Sequence, residues 1–163
     1  NNDPAADYPA AIVGLGAKIF TNSREIRGDD FFTGMYETCL NPEEIIVGIS
    51  FPIPLRSAYV KFKNPASRYA IVGVMVADYG SDVRVAVTGA GNSVFRLEKF
   101  EQALSNDFSK DSISKLTVPT TDLIEDMHAG ARYRAHLVKV MAQRAVSDCC
   151  SQIRLCDLNR PGL

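Results

Sequence analysis

The chain has 163 residues, 46% of them hydrophobic and 23% charged, the proportions of an ordinary globular protein with length for one sizeable core or two small lobes. Eighteen basic and nineteen acidic residues leave a net charge of -1, which excludes the strong positive field of a nucleic-acid-binding protein. No apolar run approaches the roughly 20 residues that a membrane-spanning helix needs, and the start, NNDPAADYPAA, has no basic region leading into an apolar one, so the expected location is cytoplasmic.

Asn1 is not a Met, and NNDPAADYP reads like the middle of a domain. Pro4 to Leu15 has the apolar spacing of a helix, with Asp3 placed to cap it and Pro4 at its first position. Ala17 to Thr21 and Arg24 to Arg27, separated by Asn22-Ser23, predict a hairpin. Asp29 or Asp30 could cap a short helix over FFTGMYET, with Cys39 near its end. Glu43 to Phe51 reads as a strand that Pro52-Ile53-Pro54 brings to a halt.

Those prolines predict a boundary at about residues 52–57, because an X-Pro step favours extended linkers. Beyond it, Tyr59 to Ala77 (YVKFKNPASRYAIVGVMVA) contains two strand-like runs around a compact loop. The first is expected to pack one face and present cations on the other, with Tyr59 set opposite the lysines. The second, rich in β-branched residues and almost continuously apolar, suits a central strand buried on both sides. A turn at Asp78 to Asp82 leads into a third strand, Val83 to Gly89, completing an antiparallel meander. Leu97 to Leu104 should lie across the sheet as a helix, Ser109 to Leu116 is a weaker helix, and Tyr133 to Cys149 is the longest, with Arg132, Arg134, Lys139 and Arg144 on its solvated side. The last residues lose periodicity and are expected to fray.

Catalytic machinery is not visible in this pattern. The two histidines, His128 and His136, are far in sequence from Cys39 and do not have the i, i+4 spacing of a helix-face metal pair, even with Glu125 and Asp126 nearby. Thr88 to Asn92 (TGAGN) lacks a complete phosphate-loop pattern and reads as a strand-ending turn. The four cysteines, Cys39, Cys149, Cys150 and Cys156, contain no C-x-x-C pair and are read as free thiols. By composition alone, Asp3 and Asp7 are solvated caps and Lys61 a surface lysine.

Several segments together resemble the FAD-binding medium subunit of molybdenum hydroxylases, closest to the carbon monoxide dehydrogenase type and more distantly the FAD domain of xanthine dehydrogenase. They are NNDPAADYPAA at 1–11, DDFFTGMYET at 29–38, EEIIVGISFPIP at 43–54, YVKFKNPASRYAIVGVMVA at 59–77, VRVAVTGAGN at 83–92, LEKFEQALS at 97–105 and ARYRAHLVKVMAQRA at 131–145. The order and spacing of these pieces carry the resemblance more than any one of them.

The resemblance implies an α+β fold: the end of an FAD-binding (PCMH-type) domain over 1–54, a three-stranded antiparallel sheet packed on a helical bundle over 55–148, and a tail at 149–163. It implies FAD as cofactor, bound through Asp7 as a carboxylate partner, Ile46 against the flavin ring, Lys61 reaching it from the first strand of the second domain, and Tyr69 covering the isoalloxazine. Glycine-rich loops for the pyrophosphate would lie in an upstream half of the same chain. The molybdenum cofactor and iron–sulfur clusters would belong to a large and a small partner subunit, with FAD relaying electrons to an external acceptor. A second reading, a docking module that binds no cofactor by itself, is distinguished from the first by titration with FAD.

Overall fold

The computed structural model describes residues 2–158, and the side chains of residues 2–151. In chain order the elements are α1 (Tyr8–Gly14), β1 (Lys18–Thr21), β2 (Glu25–Arg27), α2 (Gly28–Phe31), β3 (Phe32–Gly34), β4 (Glu37–Thr38), β5 (Ile46–Ser50), β6 (Arg56–Lys63), β7 (Ala70–Asp78), β8 (Val83–Thr88), β9 (Phe95–Arg96), α3 (Glu98–Asn106) and α4 (Ala131–Leu158). The strands form an antiparallel sheet ordered β2-β1-β5, a small β3-β4 hairpin, and a larger antiparallel sheet ordered β6-β7-β8-β9.

β7 is the axis of the larger sheet. All nine of its residues are buried, as its apolar, β-branched run requires, because layers cover both of its faces. Val72, Val74 and Val76 project to one side with Val85 and Val87 and pack against Phe100, Leu104, Leu137, Val138, Met141 and Ala145 of α3 and α4. Met75 and Ala86 project to the other side, onto Ala10 and Val13 of α1. Strand alternation thus sorts one continuous apolar sequence into two cores. The expected three strands are present, with two-residue β9 added at the edge. Residues 51–54 carry no regular secondary structure, yet α1 packs into the cores on both sides of this boundary. Its Ile12 belongs to the core of the smaller sheet with Ile19, Ile26 and Phe31, while Ala10 and Val13 belong to the larger one.

Four local expectations are corrected. The first helix begins at Tyr8, not Pro4: Asp3 closes a turn instead, its Oδ1 accepting from the Ala5 N–H at 2.9 Å. Thr88 and Gly89 take the Pro4 and Ala6 carbonyls, which a helix started at Pro4 would use for its own first bonds. FFTGMYET is not a helix beyond Phe31 but the β3-β4 hairpin, whose turn holds Tyr36 at φ +60. Threonines and a glycine there supply little helix propensity to resist Phe31 burying itself in the core. Ser109–Leu116 is a run of turns; the Ser109, Ser112 and Ser114 hydroxyls bond to nearby backbone and compete with helical bonds. α4 continues past Cys149 to Leu158, while the frayed end expected for the final residues falls partly on 159–163, outside the described residues.

Arg134 is the fifth difference, and structurally the largest. Read as solvated, it is 3% exposed, and its guanidinium donates to the carbonyls of Ile71 and Gly89, each at 2.7 Å, to that of Ala129, and to Asp126 Oδ2 at 2.7 Å. A planar fork with five donors can satisfy four acceptors at once, which makes burying the charge tolerable. Burial works against the Asp126 charge, but the N–H groups of His128 and Ala129 and the Arg134 guanidinium outweigh it and hold the carboxyl below its usual range.

Arg134→Ala strands two strand-end carbonyls and should cost about 3–5 kcal/mol in chemical denaturation, whereas Arg144→Ala, on the exposed side of the same helix, should stay within about 0.5 kcal/mol. Glu44 links the β1-β2 turn to the following loop: Arg24, the Asn41 N–H and the Thr21 hydroxyl bond it and hold its carboxyl well below the carboxylate range. Because the folded state binds this proton less readily than the unfolded chain, the stabilisation is full above an unfolded value of about 4.3 and drains away as the pH falls through and below it. Acid titration of unfolding should therefore show a shallower slope below about pH 5 for Glu44→Gln than for the parent chain.

Candidate functional site

The sequence motif DPAADYP is held at the open end of the larger sheet. Gly89 N–H donates to the Pro4 carbonyl at 2.7 Å, Ala70 N–H to that of Ala5 at 3.3 Å, and the buried Thr88 hydroxyl reaches the Pro4 and Ala6 carbonyls at 2.9 and 2.8 Å. Gly89 sits at φ +80, and a Cβ there would lie 2.6 Å from the Ala70 carbonyl oxygen. Only glycine fits this turn. The close glycines of TGAGN therefore serve a strand-ending turn that grips another backbone segment.

This clamp carries Asp7 over a row of cross-strand neighbours. Lys61 of β6 pairs with Gly73 of β7, which pairs with Thr88 of β8, so the three share the sheet face that α1 covers. Tyr59, two residues before Lys61, shares that face as well. The expectation that Tyr59 and the lysines lie on opposite faces is corrected by the period of two itself. Both side chains converge on one carboxylate: Tyr59 Oη donates to Asp7 Oδ1 at 2.6 Å and Lys61 Nζ to Oδ2 at 2.5 Å. Burial, reinforced by the adjacent Asp7, pushes the Tyr59 phenol above its ordinary value, so it is a neutral donor.

Beside this cluster lies a cavity of about 350 Å³ whose wall includes Ile46, Ile49, Pro9, Ile12, Phe31 and Tyr69. Ala6 and Tyr8, on either side of Asp7 in the chain, also line it. Ile46 is 39% exposed and Tyr69 50% exposed. Of the four site residues expected from the sequence, Ile46 and Tyr69 thus share one apolar hollow, and Asp7 and Lys61 form an ion pair at the segment that walls it. A second cavity, of about 330 Å³, lies on the other side of Asp3 and Tyr69 and is lined by polar groups that include Asn64, Asp126 and His128.

The remaining polar candidates stay apart from this arrangement. Asp126 is committed to Arg134, His128 stands 3.5 Å from Asn64, and His136 is exposed on α4. Among the described residues no group of His, Cys, Asp or Glu has the geometry of a metal site. Cys39, Cys149 and Cys150 are free thiols, and burial pushes the Cys149 thiol up to about 12. Thr88, Tyr59 and Gly73 went unremarked in the sequence as site residues; the Tyr-x-Lys spacing on a strand opposite a glycine was the available signal for two of them.

An isoalloxazine needs an apolar slot for its ring and polar partners at its edge. A hollow with an aromatic and aliphatic wall, flanked by a carboxylate and an ammonium, has the right donor and acceptor set. Its volume is at the small end of ligand cavities, room for a ring system more than for a dinucleotide.

The comparisons agree with this class of site. Residues 1–54 match the model of the FAD binding domain in molybdopterin dehydrogenase, and residues 57–149 match that of the CO dehydrogenase flavoprotein C-terminal domain. The chain belongs to this flavoprotein family of molybdenum hydroxylase medium subunits. It is 29% identical over 168 residues to the glyceraldehyde dehydrogenase medium chain of Sulfolobus acidocaldarius, covering 91% of this chain and 58% of that one. It is 30% identical over 160 residues to the nicotine 6-hydroxylase medium subunit of Paenarthrobacter nicotinovorans, covering 90% and 56%. Among solved structures, a chain of the cyanide-inactivated Cu,Mo-CO dehydrogenase superposes with a TM-score of 0.76 at 26% identity, over 91% of this chain and 58% of that one. The chain therefore spans somewhat over half the length of the relatives it matches. Among the described residues no helix is long and apolar enough to cross a membrane.

Thr88→Val keeps the shape of the side chain but removes the hydroxyl bonded to two carbonyls. It should cost about 1–3 kcal/mol in urea unfolding and raise amide exchange at residues 5–7.

Proposed function

We propose that this chain supplies the flavin-ring side of an FAD site in the medium subunit of a molybdenum-containing hydroxylase or dehydrogenase, working as an electron relay. The observation that carries the reading is the Asp7–Lys61 pair beside a hollow walled by Ile46 and Tyr69. FAD, when bound, supplies the redox chemistry that connects iron–sulfur clusters to an external acceptor. The protein's part is to hold and tune it.

Asp7 retains lone pairs beyond those bonded to Tyr59 and Lys61 and can accept from a flavin N–H or hydroxyl group. Lys61 places a cation where negative charge develops on reduction. Ile46 and Tyr69 give apolar cover and exclude water, which strengthens both polar contacts. In such an assembly a large subunit would carry the molybdenum cofactor and a small subunit the iron–sulfur clusters. Such an assembly would work in the cytoplasm, and the pyrophosphate would be held by glycine-rich loops outside residues 1–163.

The full gene product, purified with its partner subunits, should carry one FAD per chain with a flavin absorption spectrum. A correctly assembled complex that stays colourless would overturn the reading. Lys61→Ala should weaken FAD binding on the order of tenfold, the loss of one charge-assisted contact, while the thermal midpoint of the flavin-free protein stays unchanged; unaltered affinity and reduction potential would remove Lys61 from the site.

A further inference from the structure

We infer that Tyr59 is a positioning residue of this site, holding the Asp7 carboxylate in its flavin-facing orientation; the inference rests on the reading that Asp7 contacts flavin. Asp7 stands at the start of α1 but makes no side-chain cap bond there. Among the described residues its carboxylate is held by two groups, Lys61 Nζ at Oδ2 and Tyr59 Oη at Oδ1. The two are not equivalent. A lysine is a point charge on a flexible stem and tolerates many carboxylate orientations, whereas a phenol on a rigid ring with two side-chain torsions specifies one.

The fold makes room for that ring. Tyr59 is half-buried and packs on the Met75 and Ala86 cluster beneath α1. Its hydroxyl passes over Gly73, where a Cβ would lie 2.2 Å from Oη and 2.8 Å from Cζ. Any other residue at position 73 would displace the phenol from Asp7, and Thr88, at 2.9 Å from the same point, closes the far side of the slot. Gly73 has an ordinary strand conformation, since it is not among the positive-φ glycines. Its smallness therefore serves space and not backbone freedom. Tyr59, Gly73 and Asp7 form one device: a gap in the middle strand, a ring threaded through it, and a carboxylate fixed at the end.

The test uses the full gene product assembled with its partner subunits, comparing the parent with Tyr59→Phe, Gly73→Ala, Asp7→Ala and the Tyr59→Phe/Asp7→Ala double variant. The measurements are the dissociation constant for FAD after flavin removal, the reduction potential of the bound flavin, and the thermal midpoint of the flavin-free protein. Tyr59→Phe should raise the dissociation constant about tenfold, the effect of losing one hydrogen bond to a charged group, and shift the potential, with the thermal midpoint little changed. Gly73→Ala, which leaves the phenol chemically intact, should reproduce the shift in potential. In the Asp7→Ala background, Tyr59→Phe should add nothing, because the group through which it acts is gone. An equal effect of Tyr59→Phe with and without Asp7 would overturn the positioning role, as would a Tyr59→Phe protein with unaltered affinity and potential. A parent complex that holds FAD while Tyr59→Phe is silent defeats this inference alone, and a parent without FAD defeats the functional reading on which it stands.

Discussion

A single buried guanidinium sets the frame on which the candidate site is built. Arg134 reaches from α4 to the carbonyls of Ile71 and Gly89, where β7 begins and β8 has just ended. The amides beside them, of Ala70 and Gly89, then donate to Ala5 and Pro4. A chain of bonds thus runs from Asp126 through Arg134 to the two strand ends, and on to the segment that carries Asp7. Each link satisfies a polar group that would otherwise be buried at a cost. The geometry of a surface-exposed carboxylate is in this way inherited from the best-packed part of the molecule.

The second organising feature is the use made of the two faces of β7. One face is apolar from Val72 to Val76 beneath α3 and α4 and ends in the Arg56–Asp78 ion pair. The other is interrupted by Gly73 and faces Tyr59, Lys61, Thr88 and the start of α1. A central strand buried on both sides is rigid, so groups aligned across it keep their spacing. That rigidity suits a redox cofactor, whose potential depends on a fixed arrangement of charges around it. Because α1 belongs to the cores of both sheets, it also fixes Ile46 on β5 relative to Asp7, although the two come from opposite ends of the first region.

Much of this architecture was legible in the residues. The run Tyr69–Ala77 suited a buried central strand, the turns at Asn22-Ser23 and Asp78–Asp82 separated antiparallel partners, and the prolines after Phe51 ended a strand. Three of the failures share one cause. Pro4–Asp7, FFTGMYET and Ser109–Leu116 all have local patterns compatible with helix, and in each case a competing interaction prevailed: the Thr88 hydroxyl for the first, burial of Phe31 for the second, serine hydroxyls for the third. Local propensity is worth tenths of a kcal/mol per residue and yields to contacts worth more.

The candidate site divides along the same line. Asp7, Ile46, Lys61 and Tyr69 could be named from sequence because the motifs DPAADYP, EEIIVGISFPIP and YVKFKNPASRYA resemble a known family, and no property of those residues taken singly marks them. The sequence by itself determined the strands and their alternation. Tertiary structure alone decided that this face meets Asp7, that Gly73 leaves space for the Tyr59 ring, and that Arg134 turns inward from an outwardly polar helix. The first and last of these depend on contacts between residues 45 to 84 positions apart, and side-chain pairing across such separations leaves no periodic trace in the chain.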